Sequence, residues 1–65
     1  MKIGDVGWVM HDVLVAEFGP DQAEKMKQAF WVVVDDDLAG GRARLVCPTH
    51  RQWIEIDPTQ FESAD

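Results

Sequence analysis

Apolar and polar positions change rhythm along this chain, and the rhythm divides it. Behind a Gly4-Asp5 turn signal, Val6, Trp8 and Met10 recur at period two and predict a first strand over residues 6–10. In "HDVLVAEF", residues 11–18, Val13, Val15 and Glu17 alternate with Leu14, Ala16 and Phe18. The two β-branched valines favour a strand there. A short helix ended by Gly19 and Pro20 is the alternative. Residues 20–30, "PDQAEKMKQAF", carry helix signals. Pro20 suits a first helical position, Asp21 and Glu24 complement the positive end of the dipole, and Lys25 and Lys27 follow. Ala23, Met26 and Phe30 recur at helical spacing, yet the segment spans barely three turns and must lean on the rest of the domain. A long loop with one helical turn is the other reading.

The second half returns to period two. Phe30, Val32 and Val34 point one way, Trp31 and Val33 the other. The first set is expected to face the core, which turns Trp31 and Val33 outward. Arg42 and Arg44 alternate with Ala43, Leu45 and Cys47 in the next strand. Between the two lies "DDLAGG", where aspartate bonds its own backbone and Gly40-Gly41 supplies positive φ for a hairpin. In "RQWIEIDP", Trp53, Glu55 and Asp57 share one face and Ile54 and Ile56 the other. Asp57-Pro58 reads as a cap with proline at the first helical position, starting one turn that drops Phe61 onto the sheet. Residues 62–65 are expected to form a flexible tail.

The pattern "KIGDVGWV … FWVVVDDD … GGRARLVCP … RQWIEIDPTQF" resembles the small five-stranded SH3-like barrels of prokaryotes and phages. In those folds a "GD.V.V" strand precedes a long irregular loop and a hairpin, and a last strand enters a proline-containing turn whose apolar residue plugs the barrel end. Gly4, Asp5, Val6, Val9, Val32, Val34, Leu45, Ile54, Ile56, Pro58 and Phe61 stand at the matching positions. The fold class so implied is mainly β, a five-stranded barrel with one short helix. The helical signals of residues 19–30 depart from it and keep a small α+β antiparallel sheet as the alternative. Such folds host unrelated activities, so the resemblance says little about use.

Sixty-five residues make a single domain over 1–65, and a chain so short buries only about 60% of the surface it exposes unfolded. An apolar content of 46% and a charged content of 28% place it among folded domains and not disordered ones. Twelve acidic against six basic residues leave a net charge of −6, which argues against direct binding to nucleic acid, where Lys and Arg must replace counterions. Cys47 is the only cysteine, no apolar run approaches membrane-spanning length, and no secretory leader pattern is visible. A cytoplasmic location without membrane contact is the expectation.

Candidate chemistry is sparse. Asp35, Asp36 and Asp37 open a run whose sixth residue is Leu and whose twelfth is Val, where a calcium loop needs Gly and Glu. Cys47 and His50 form a lone C-x₂-H without a second pair for zinc, and nothing orients His50 as the base of a nucleophile. No catalytic residue, metal or cofactor is therefore expected. Trp8, Trp31 and Trp53 are more informative, because tryptophan concentrates at binding hot spots. An apolar face of Trp31, Val33, Trp53 and Met26 is expected to bind a protein partner or a second copy. A covering helix that makes the same face an ordinary second layer is the competing reading. Two other functions stand beside that module. One is an acidic inhibitor in which Asp35, Asp36, Asp37, Glu55 and Asp57 imitate nucleic-acid phosphates toward a basic host protein. The other is a minimal oligomeric enzyme similar to type II dihydrofolate reductases, against which Glu55 and Asp57 would repel an anionic cofactor. Size and acidity suggest a phage or mobile-element origin.

Overall fold

The computed structural model describes residues 1–64. Along it run β1 (Val6–Val9), α1 (His11–Phe18), α2 (Pro20–Met26), β2 (Trp31–Asp35), β3 (Ala43–Cys47), β4 (Gln52–Ile56) and β5 (Phe61–Ser63). A 3-10 turn, Pro58–Gln60, joins β4 to β5. The five strands make one antiparallel sheet in the order β4-β3-β2-β1-β5. β4 and β5 are its edges, and no ladder joins them among the described residues, so the sheet is open and not a closed barrel.

Residues 11–18 form a helix, which corrects the expected strand. Leu14 and Phe18, four apart, fall on one side of that helix, with Leu14 buried and Phe18 packed against the core. β-propensity of the two valines is a weak preference that this packing overrides. Gly19 lies between the helices at φ 87° and ψ 160°, a backbone region open almost only to glycine. Its N–H donates to Val15 O at 2.9 Å and its carbonyl accepts from Ala23 N at 2.9 Å, so one residue ends α1 and begins α2. Pro20 holds the first position of α2 as its ring requires.

The core lies between the helices and one sheet face. It contains Leu14, Ala23, Met26, Trp31, Val33, Leu45, Cys47, Ile54 and Ile56 among others. β3 and β4 orient as their alternation predicts. β2 does not: Trp31 is 0% exposed and Val33 is buried, while Phe30 and Val34 are exposed. Trp31 stacks on Phe18, with ring centroids 6.2 Å apart, and fills the thickness between sheet and helices. Met26 is buried as well, because α2 turns Ala23 and Met26 inward together.

Three further local structures follow from short motifs. In the β2–β3 connection Gly40 and Gly41 have φ of 77° and 74°, and Gly41 N donates to Leu38 O at 3.1 Å. At the end of β4, Asp57 Oδ1 accepts from Thr59 N at 3.0 Å while Gln60 Oε1 accepts from Asp57 N at 3.0 Å. This reciprocal cap sets up the turn that delivers Phe61 opposite Val9 and against the core. The chain then pairs with β1, with Glu62 opposite Trp8 and Ser63 opposite Gly7. Residues 62 and 63 are thus part of a strand and not a flexible tail; Asp65, the last residue of that expected tail, lies outside the described residues.

Candidate functional site

The outward face of the sheet is built by register. Val6 pairs with Val32, Val32 with Val46, and Val46 with Trp53. Paired residues in antiparallel strands share a face, so these four form one apolar row across β1, β2, β3 and β4. Trp53 is 60% exposed and Val6 41%, and Val32 and Val46 are half-buried between them. Trp8, two residues along β1 from Val6, adds a second indole to this face at 40% exposure. One end of the row is therefore a tryptophan and the other lies beside one.

A charged row runs next to the apolar one. An irregularity between Val33 and Asp35 puts Asp35 in register with Arg44, which itself pairs with Glu55. Arg44 Nη2 donates to Glu55 Oε2 at 2.8 Å and its Nε to the same oxygen at 3.2 Å. The same guanidinium lies 5.5 Å from the Trp53 ring centroid. Arg44, Val46 and Trp53 line an open depression of about 380 Å³. Each partner of Trp53 is fixed by β-ladder hydrogen bonds or an ion pair, so the indole is presented from a rigid support.

Of the residues expected to bind a partner, only Trp53 stands on this surface. Trp31, Val33 and Met26 are core residues, and the patch they were to form does not exist as drawn. Alternation separates two apolar sets on β2, and the set expected to face the core, Phe30, Val32 and Val34, is the outward one. Val6, Val32, Val46 and Trp8 take their place. Val6 and Trp8 share one face of β1 by period two, and Val46 shares a face with Arg44; pairing them with Trp53 needed the cross-strand register.

Asp35, Glu55 and Asp57 are occupied locally, while Asp36 and Asp37 are exposed. Asp35 Oδ1 accepts from Asp37 N at 3.1 Å, a side-chain-to-backbone turn at the hairpin tip. Glu55 holds Arg44. Asp57 accepts from the Thr59 backbone and hydroxyl, and these bonds hold its carboxyl below its ordinary value of 3.8. Among the described residues no group of three His, Cys, Asp or Glu side chains is arranged to hold a metal ion. Cys47 is fully buried, while His50 lies in the turn beyond it. A second, smaller cleft of about 210 Å³ separates α1 from β4, lined by Asp12, Glu17, Arg42, Glu55 and Gln60 among others. Arg42 Nη2 donates to the Glu55 carbonyl there, covering part of the β4 edge. No helix among the described residues is long and apolar enough to cross a membrane.

No family model matches the chain, and neither the curated proteins nor the solved structures yield a match.

Proposed function

We propose that this chain is a non-enzymatic protein-interaction module whose working surface is the outward sheet face carrying Trp53 and Trp8. The observation that carries the reading is the register-aligned row Val6–Val32–Val46–Trp53. A sheet with one face on the core ordinarily alternates apolar-in with polar-out. Here four strands place apolar side chains outward at the same level, and contiguous exposed apolar surface of this kind marks interaction sites. An indole on a rigid support, beside a guanidinium, has the composition of a hot spot.

The fold reading that goes with it is an SH3-like sheet. It is supported by the opening strand after Gly4-Asp5, the long connection to β2, the β2–β3 hairpin, and the proline-containing turn that packs Phe61 against the core. The nucleic-acid-mimic reading draws less support, because Asp57 caps a turn, Glu55 is paired with Arg44, and the carboxylates flank an apolar row instead of forming a continuous acidic surface. A single buried Cys47 is compatible with a reducing, cytoplasmic compartment.

Affinity capture from the native source, with wild type, Trp53→Ser and the helix-face control Gln22→Ser as baits, tests the module. A protein retained by wild type and Gln22→Ser but lost with Trp53→Ser is the expected result. Equal retention by all three baits would remove the sheet face from the account.

A further inference from the structure

Resting on that docking face, we infer the chemistry of its partner: a protein surface with an apolar centre flanked by lysine or arginine side chains. The inference comes from what flanks the apolar row. On one side, Asp35, Arg44 and Glu55 stand in register, two carboxylates to one guanidinium, with the guanidinium already bonded to Glu55. On the other side, Glu62 stands opposite Trp8 on β5. The first flank is net negative even with Arg42, bonded to the Glu55 carbonyl, included, because the exposed Asp36 and Asp37 extend it at the hairpin tip; the second carries Glu62 beside Trp8 and the exposed Arg51 two residues before Trp53. The whole chain adds to this field with its charge of −6.

A second copy fits the face poorly. A stable interface takes about 800 Å² from each partner, close to a fifth of the 4268 Å² surface of this molecule. Such an area reaches past one row of four side chains onto the carboxylate-bearing flanks. Two-fold pairing would then set acidic flank against acidic flank, and like charges juxtaposed across an interface are costly. A partner with cationic flanks turns the same rim into attraction and steers encounter.

The test uses three synthetic peptides of equal length as probes: alternating Lys-Leu, alternating Glu-Leu and alternating Lys-Ser. Each is titrated into isotopically labelled protein and followed by amide shifts. The Lys-Leu peptide is expected to perturb Val6, Val32, Val46 and Trp53. Its affinity should fall about tenfold or more between ~0.01 M and ~0.1 M salt, where the screening length shrinks from ~30 to ~10 Å. The Asp35→Asn/Glu62→Gln double variant should weaken it at low salt while leaving the fold intact. Equal binding of the Glu-Leu peptide at that face would overturn the cationic partner yet keep the docking face. Binding of the Lys-Ser peptide as tightly as Lys-Leu would overturn the apolar centre. A failure of all the peptides to perturb the face would overturn both readings. A concentration-dependent dimer abolished by Trp53→Ser would overturn the inference in favour of a second copy.

Discussion

The Arg44 guanidinium carbon lies 5.5 Å from the centre of the Trp53 ring. That contact joins the charged row of the outward sheet face to its apolar row. Exposed contacts of this type contribute about 0.5–1 kcal/mol, so this contact adds little to folding and the placement of Trp53 is set by the strands beneath it.

Trp53→Ser is therefore expected to cost the fold no more than about 1 kcal/mol, because the side chain is largely in solvent. Urea unfolding monitored by circular dichroism measures it. A loss of several kcal/mol would mean that the indole is structural and that its exposure has no functional meaning.

Trp31 behaves in the opposite way. It is wholly buried, so Trp31→Ala should cost about 3–5 kcal/mol and unfold much of so small a domain. Its Nε1 is buried without a hydrogen-bond partner among the described residues. Trp31→Phe removes that orphan donor along with some volume, and the two changes oppose each other. Its thermal melt should place the net loss below about 1.5 kcal/mol. An Ala variant as stable as wild type would contradict the placement of Trp31.

Gly7 has a different constraint. A Cβ there would run into the Glu62 carbonyl oxygen and the Phe61 ring, and a backbone atom cannot step aside cheaply. Gly7→Ala should cost about 1–3 kcal/mol and loosen β5 first. Hydrogen exchange would then show faster exchange in residues 61–63 than in β3. Unchanged protection of β5 would contradict the pairing of β1 with β5.

Asp57 ties stability to acid. Bonds from the Thr59 backbone and hydroxyl lower its folded-state pKa below 3.8. A depressed carboxyl adds stability that is fully present above 3.8 and is lost as pH falls through the folded value. Asp57→Ala should thus be less stable than wild type at neutral pH, with the gap closing at the acid end. Denaturant midpoints of both proteins across that range measure it. A gap that stays constant with pH would show that the carboxylate charge is not what caps the turn.

Local chemistry was legible where one residue type has one job. Gly40-Gly41, Pro20 and Asp57-Pro58 announced their turn, helix start and cap, and Ile54 and Ile56 showed the inward face of β4. The face of β2 was not legible, because Phe30, Val32 and Val34 are as apolar as Trp31 and Val33. Only the helices packed over Trp31 distinguish the sides. The same gap hid α1, whose valines favour a strand until Leu14 and Phe18 are given a sheet to pack on. β5 was missed for a related reason: "FES" has little β character of its own, and its place is made by the ladder that β1 offers. Trp53 was legible as outward-facing because Ile54 and Ile56 take the inward face of the same strand. Its connection to Val46, Val32 and Val6 is a property of register, which no single strand contains.

The most direct measurement replaces Val6 in one variant and Gln22 in another with a photo-crosslinking amino acid, then irradiates each with the partner captured by the wild type. Val6 lies in the apolar row, and Gln22 is exposed on α2. The account expects a covalent adduct from position 6 and none from position 22. An adduct from position 22 alone would contradict it, because the partner would then sit on the helices and the tryptophan-bearing sheet face would be bystander surface.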